Sequence, residues 1–132
     1  MATRLDRPFN QTMFESRFNS ILTPINNNGK KKVILITGCD SGFGFSLACH
    51  MSEKHGQDFL TIACSYFPSE GSKILKEKPN LRVLPLDVTN EDSVQELVKQ
   101  VEVILEDENA ELWAVVNNAA SLVFADATWQ TQ

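Results

Sequence analysis

Residues Val33–Thr37 form the apolar run Val-Ile-Leu-Ile-Thr, and three glycines follow at once: Gly38, Gly42 and Gly44. An apolar strand that feeds a glycine turn and then a helix presents free backbone N–H groups to an anion. The positive end of the helix dipole points the same way. Gly38 lets the chain leave the strand in a tight turn, Gly42 lets a pyrophosphate approach the backbone, and Gly44 lets the helix pack close to the sheet. The spacing is T-G-x-x-x-G-x-G. It is neither the G-x-G-x-x-G of many nucleotide-binding turns nor the G-x-x-x-x-G-K of a P-loop. Thr37 opens the motif, and Asp40, Ser41 and Phe43 fall between its glycines, so all four join the candidate contacts.

Two further stretches stand where a nucleotide fold needs them. Leu86-Asp87-Val88-Thr89 follows the third apolar run, and ligands of open α/β sheets bind at the carboxyl ends of strands. Asp87 there can accept from the amino group of an adenine, or it can serve as an N-cap-like residue at a strand–helix turn. Asn117-Asn118-Ala119-Ala120 follows Val115-Val116. Paired asparagines after an apolar strand suit turn and backbone-bridging duty, or simply start a loop.

These groups need a regular scaffold, and the chain alternates strand and helix signals from Lys32 onward. Strands are expected at 33–37, 59–63, 81–86 and 112–117, with Pro85 marking a kink or an end. Helices are expected at 42–55, with Gly56 as a C′ stop, at 69–77 before Pro79, and after Thr89 or Asn90. The last helix carries the stripe Val94, Leu97, Val98, Val101, Ile104 and Leu105, with Glu91 and Asp92 in its first turn. Strands without polar alternation are buried on both faces. The fold class is therefore α/β: a Rossmann-type, doubly wound parallel sheet, ending after about four strands.

Residues 1–31 read as a separate leader, and 32–132 as the folded unit. Phe14, Phe18, Ile21, Leu22 and Ile25 fall at helical spacing, ahead of the polar Asn26–Lys32 linker. Net charge is −5, yet residues 1–32 hold six basic residues against two acidic ones. The acidic remainder gives no electrostatic footprint for nucleic acid. The basic, partly amphipathic or disordered leader is read as docking on the domain or fraying, with contact to a membrane surface or an organelle-targeting role as the sharper alternatives. Three cysteines, Cys39, Cys49 and Cys64, in an odd count and without C-x-x-C spacing, fit free thiols in a reducing intracellular compartment, cytoplasmic or, through the leader, membrane-associated or mitochondrial. Cys39 is read as a small residue fitting a tight turn, Trp113 as core packing, and Lys30–Lys32 as a solvated lead-in. No zinc-ligand cluster is visible.

Together, Thr37, Gly38, Gly42 and Gly44, the Asp87-Val88 pair and Asn117-Asn118-Ala119 resemble the short-chain dehydrogenase/reductase family. Ala120 stands where that family usually has glycine. The resemblance covers residues 32 to about 128, and TGCDSGFGFSLA is similar to the branch holding retinol, hydroxysteroid and hydroxybutyrate dehydrogenases. It implies an NAD(P)-dependent oxidoreductase that exchanges hydride with an alcohol or ketone, of steroid, retinoid or related lipid type, and a possible homo-oligomer. In this scheme Gly38, Gly42 and Gly44 hold the pyrophosphate, Asp87 and Val88 the adenine, and Asn117 and Ala119 the ribose on the nicotinamide side. The second strand ends in Ala63-Cys64-Ser65-Tyr66-Phe67 with neither charge, while Asp40 lies in the glycine loop. A carboxylate there would repel a 2′-phosphate, which favours NAD and leaves NADP open; Asp40 could equally cap the helix turn.

The family mechanism also needs a Ser and a Tyr-x-x-x-Lys. The only tyrosine is Tyr66, and Glu70 stands four residues on. The expectation is a cofactor-binding half without a catalytic half, unable to turn over substrate by the family mechanism. The alternative is a non-catalytic dinucleotide-binding or regulatory isoform. A sugar-nucleotide epimerase relative would need T-G-x-x-G-x-x-G, which the glycines do not fit. A four-strand sheet would leave Val115 and Val116 on an open edge, so marginal stability is expected.

Overall fold

The computed structural model describes residues 29–66 and 68–121. The leader's amphipathic stretch and its anchoring or targeting roles lie outside the described residues. Seven elements alternate along the chain: β1 (Lys31–Ile36), α1 (Gly42–His55), β2 (Phe59–Ser65), α2 (Glu70–Lys76), β3 (Leu81–Pro85), α3 (Glu91–Asp107) and β4 (Ala110–Val116). The strands form one parallel sheet in the order β3-β2-β1-β4. The chain winds one way from β1 to β3 and then crosses back to place β4 on the other side of β1. A crevice opens at that reversal, above the strand ends.

The two central strands are buried on both faces, as their unbroken apolar sequences require. One core layer joins Ile34, Ile36, Phe59, Ala63 and Ala48 to Leu75. The opposite layer joins Val33, Leu35, Leu60 and Ile62 to Leu97 and Val101 of α3. Successive residues of β1 thus feed alternate layers, which fixes its register: Val33 faces Leu60 on one side and Leu112 on the other. An irregularity after Val33 shifts the pairing, so that Ile34 faces Ala114.

Pro85 is the last residue of β3 and sits on an edge strand, where its missing N–H costs no central ladder bond. Asn90 caps α3 by accepting from the Ser93 N–H, and Ser69 caps α2 in a reciprocal capping box with Ser72.

Several expectations are corrected. Gly56 is not a left-handed stop; its φ is −64°. Left-handed backbone falls instead on Asn80, with φ 53°, and on Asn109 just past α3, with φ 46°. Lys32 is buried, not solvated: its Nζ lies 5.2 Å from the ring centroid of Trp113. Trp113 is half-exposed on the edge strand β4 and tilts against Phe59, so it covers a core edge and does not fill the core. Within the α3 stripe only Leu97 and Val101 are buried, while Val94 and Val98 stay exposed, as do Leu112 and Val115 of β4. β4 is the outer strand on that side among the described residues, as the open-edge expectation had it.

Candidate functional site

The carboxyl ends of β1, β3 and β4 surround a cleft of about 660 Å³, within the usual range for small-molecule sites. Three segments build it: the glycine loop (Gly38, Asp40, Ser41 and Phe43), the turn after β3 (Leu86–Thr89), and the turn after β4 (Asn118–Ser121), with Tyr66 at one side. Sequence motifs up to 82 positions apart, as in the Thr37–Ala119 bond, thus meet in one place.

Two of the three glycines in the loop are tightly enclosed. Gly38 has φ +71°, and a Cβ on it would lie 2.7 Å from Ala119 Cα. Only glycine allows both the turn and that approach. A Cβ on Gly44 would run into the Gly38 carbonyl oxygen and lie 2.5 Å from Asn118 Nδ2, so the start of α1 is packed against the loop below it. Gly42 differs. Its φ is +62°, and nothing lies within 4 Å of its missing Cβ, so the space above this backbone is open toward solvent.

The N-terminus of α1 is also unlike the other two. Ser41 makes no side-chain cap bond, and no acidic residue lies in the first turn. Both α2 and α3 have a side-chain cap and an acid in their first turns. The first turn of α1 thus meets neither a capping Ser41 side chain nor an acid of its own.

Asp40 has a definite structural task. Its carboxylate accepts from the Tyr66 backbone N–H at 3.0 and 3.1 Å, which pins the glycine loop to the end of β2. Its carbonyl accepts from Ser69 Oγ at 3.4 Å. These contacts tie the loop to the end of β2 and to the start of α2. The adjacent Cys39 N–H donates to the Cys64 carbonyl at 2.9 Å. Cys39 is fully buried, and that burial pushes its thiol up to about 12. It stays protonated and unreactive at neutral pH, as expected of a residue chosen to fit a turn.

Asp87 closes the opposite wall. Its Oδ1 accepts from Thr89 Oγ1 at 2.6 Å and from the Thr89 N–H at 2.9 Å, an Asx-type turn. These bonds, the hydroxyl's first, hold the Asp87 carboxyl below its ordinary value. The Asp87 N–H donates to Ser93 Oγ, which ties the turn to α3. Val88, half-exposed, and Phe43, 91% exposed, flank the cleft as apolar faces turned to solvent.

Not every candidate lines the cleft. Thr37 is buried and acts as a staple below it, and Gly42 and Gly44 shape the loop without walling the cleft. Asn117 is exposed and lies outside the lining, whereas its neighbour Asn118 bridges the loops. Tyr66, Leu86, Thr89, Asn118, Ala120 and Ser121 line the cleft without having been among the expected site residues. Asn118 was legible only as half of an Asn-Asn pair, because either asparagine could take the inward position.

The family model described as short chain dehydrogenase matches residues 32–131. Among curated relatives, the mitochondrial D-beta-hydroxybutyrate dehydrogenase of Bos taurus is 40% identical over 100 residues, covering 72% of this chain and 28% of the relative. The 3beta-hydroxysteroid dehydrogenase dhs-16 of Caenorhabditis elegans is 41% identical over 96 residues, covering 67% and 24%. The 17-beta-hydroxysteroid dehydrogenase type 6 of Rattus norvegicus is 39% identical over 101 residues, covering 74% and 30%. The chain thus spans less than a third of the length of these relatives. A solved structure described as the carbonyl reductase Sniffer of Caenorhabditis elegans aligns with a TM-score of 0.60 at 22% identity, over 76% of this chain and 42% of that one, a likeness of fold.

Proposed function

Because this chain belongs to the short chain dehydrogenase family, we propose that its cleft binds a nicotinamide dinucleotide, preferentially NAD, as the cofactor-binding part of an alcohol or ketone oxidoreductase. The single observation that carries this reading is the N-terminus of α1. Of the three described helices it alone lacks both a side-chain cap and a first-turn acid, and it sits beneath open space at Gly42. That combination fits a bound pyrophosphate, whose charge would meet backbone N–H groups and the helix dipole. When bound, the nicotinamide ring supplies the hydride acceptor or donor.

This chain's own residues would do the rest by binding and orientation. Ser41 and Phe43 flank the pyrophosphate. Asp87 keeps Oδ2 for the amino group of adenine, since both of its bonds to Thr89 use Oδ1. Val88 offers an apolar surface to the base, and Ala119 together with the neighbouring Asn117 serves the second ribose. The lining holds Asp40 and Asp87 and, among the described residues, no lysine or arginine. That charge pattern disfavours a 2′-phosphate and supports NAD over NADP.

Hydroxybutyrate and hydroxysteroid names among the relatives support a small hydroxy acid, steroid or related lipid as substrate of the whole enzyme. The mitochondrial name of the bovine relative supports that compartment. No described helix is long and apolar enough to cross a membrane. The 132 residues contain no Tyr-x-x-x-Lys, so they are proposed to bind the cofactor without turnover. Calorimetric titration tests the reading. NAD is expected to bind saturably and at least about tenfold more tightly than NADP. Equal affinity would remove the NAD assignment, and no binding of either would remove the function.

A further inference from the structure

A second, smaller cleft of about 250 Å³ lies between α2 and the ends of β2 and β3, and shares Tyr66 with the large one. Pro68, Val83 and Pro85 give it apolar walls, and Ser65 and Lys76 give it polar groups. Ser65 closes β2 on the same sheet face as Ala63, the face that α1 and α2 cover. It is 4% exposed, and its Oγ has no hydrogen-bond partner among the described residues.

Buried hydroxyls in folded proteins are nearly always bonded. An unbonded one in a residue that lines a cleft marks a position from which a ligand can be held once the hydroxyl rotates toward it. Thr61 provides the contrast: its Oγ1 is equally unpartnered, but it lies fully buried in mid-strand and lines neither cleft. Ser72 is on the wall as well, yet its hydroxyl is already satisfied by the Ser69 backbone. Lys76 is exposed and forms no ion pair among the described residues, while its neighbour Lys73 is engaged by Glu70.

We propose that this cleft is a separate binding site for a small organic monoanion, a carboxylate on a short apolar body. One uncommitted cation matches one negative charge. The Ser65 hydroxyl donates to a carboxylate oxygen, and the proline and valine walls receive a short carbon chain. A phosphate dianion would need more donors and more positive charge than Ser65 and Lys76 provide.

The test titrates the isotopically labelled full chain with propionate, with propionamide as the neutral isostere, and with inorganic phosphate, reading backbone amide shifts. No dinucleotide is present, so the result is independent of the proposed cofactor function. Propionate is expected to shift the amides of Ser65, Tyr66, Ser72 and Lys76 saturably, with propionamide and phosphate weaker. Lys76→Met, at an exposed position, is expected to weaken propionate about tenfold or more. Ser65→Ala is expected to lose the binding and to raise Tm, because it removes a buried hydroxyl that nothing satisfies. The proposal is overturned if propionate gives no saturable shift, if propionamide or phosphate binds as well, if Lys76→Met leaves affinity unchanged, or if Ser65→Ala lowers Tm.

Discussion

Thr37, just past β1, and Asn118, beyond β4, are joined by two hydrogen bonds, both donated by Asn118. The Asn118 N–H donates to Thr37 Oγ1 at 3.0 Å, and its Nδ2 donates to the Thr37 carbonyl at 3.0 Å and to the Gly38 carbonyl at 3.1 Å. Thr37 Oγ1 also accepts from the Ala119 N–H at 2.9 Å. Two of the three segments of the cleft are therefore one hydrogen-bonded unit, and its geometry rests on the amide of Asn118.

Asn118→Ala removes the donor from two partly buried carbonyls. It is expected to lower unfolding free energy by about 1–3 kcal/mol. Urea denaturation measures the loss. NAD affinity should fall as well, because Gly38 and Ala119 lose their mutual position. A variant with unchanged stability would show that the bridge contributes little.

Gly38 and Gly42 make a controlled pair. Both are left-handed, at φ +71° and +62°, but a Cβ meets Ala119 at the first and open space at the second. Gly42→Ala should carry only backbone strain, about 1–2 kcal/mol. Gly38→Ala should cost about 1–3 kcal/mol more from the overlap. Thermal melts rank the two. NAD affinity should fall strongly in Gly42→Ala despite its milder stability cost, since the new methyl would stand where the pyrophosphate approaches.

The Asp87 turn sets a pH dependence. Its carboxyl is held below the ordinary value in the folded state, by the Thr89 hydroxyl first and the Thr89 N–H second. A depressed carboxylate contributes stability that is fully present above the unfolded value near 3.8 and is lost as pH falls through the lower folded value. Carbon-detected NMR titration should place the Asp87 midpoint below 3.8, and Thr89→Ala should move it back toward that value. A midpoint at the ordinary value in the parent chain would contradict the turn.

Much of this was legible because single residues dictate local outcomes. The limits of α1 are those expected from its sequence, since the glycine turn sets its start and Gly56 follows its end. Asn90, one of the two expected caps, starts α3, and Pro85 ends β3. The misses concern relations between elements. The run Lys30–Lys32 looks uniformly solvated in sequence, but strand alternation turns Lys32 inward beneath Trp113. Val94 and Val98 belong to the apolar stripe of α3, yet both stay exposed, because no described element covers that part of the helix. Gly56 could have taken the left-handed stop, and asparagines at positions 80 and 109 took such positions instead, because their short amides tolerate that backbone. Asn117 and Asn118 have one composition and two fates, decided only by which side chain faces Thr37.

The most direct test of the central claim is an NMR titration of the full chain with NAD, followed by backbone amide shifts. The account predicts saturable shifts at Gly38, Ser41, Gly42, Phe43, Asp87, Val88 and Ala119, at the carboxyl ends of the strands. It predicts none at Lys30, Glu102 or Asn109, which line a cleft at the other end of the sheet. Saturable shifts confined to that other end, or no shifts at all, would contradict it.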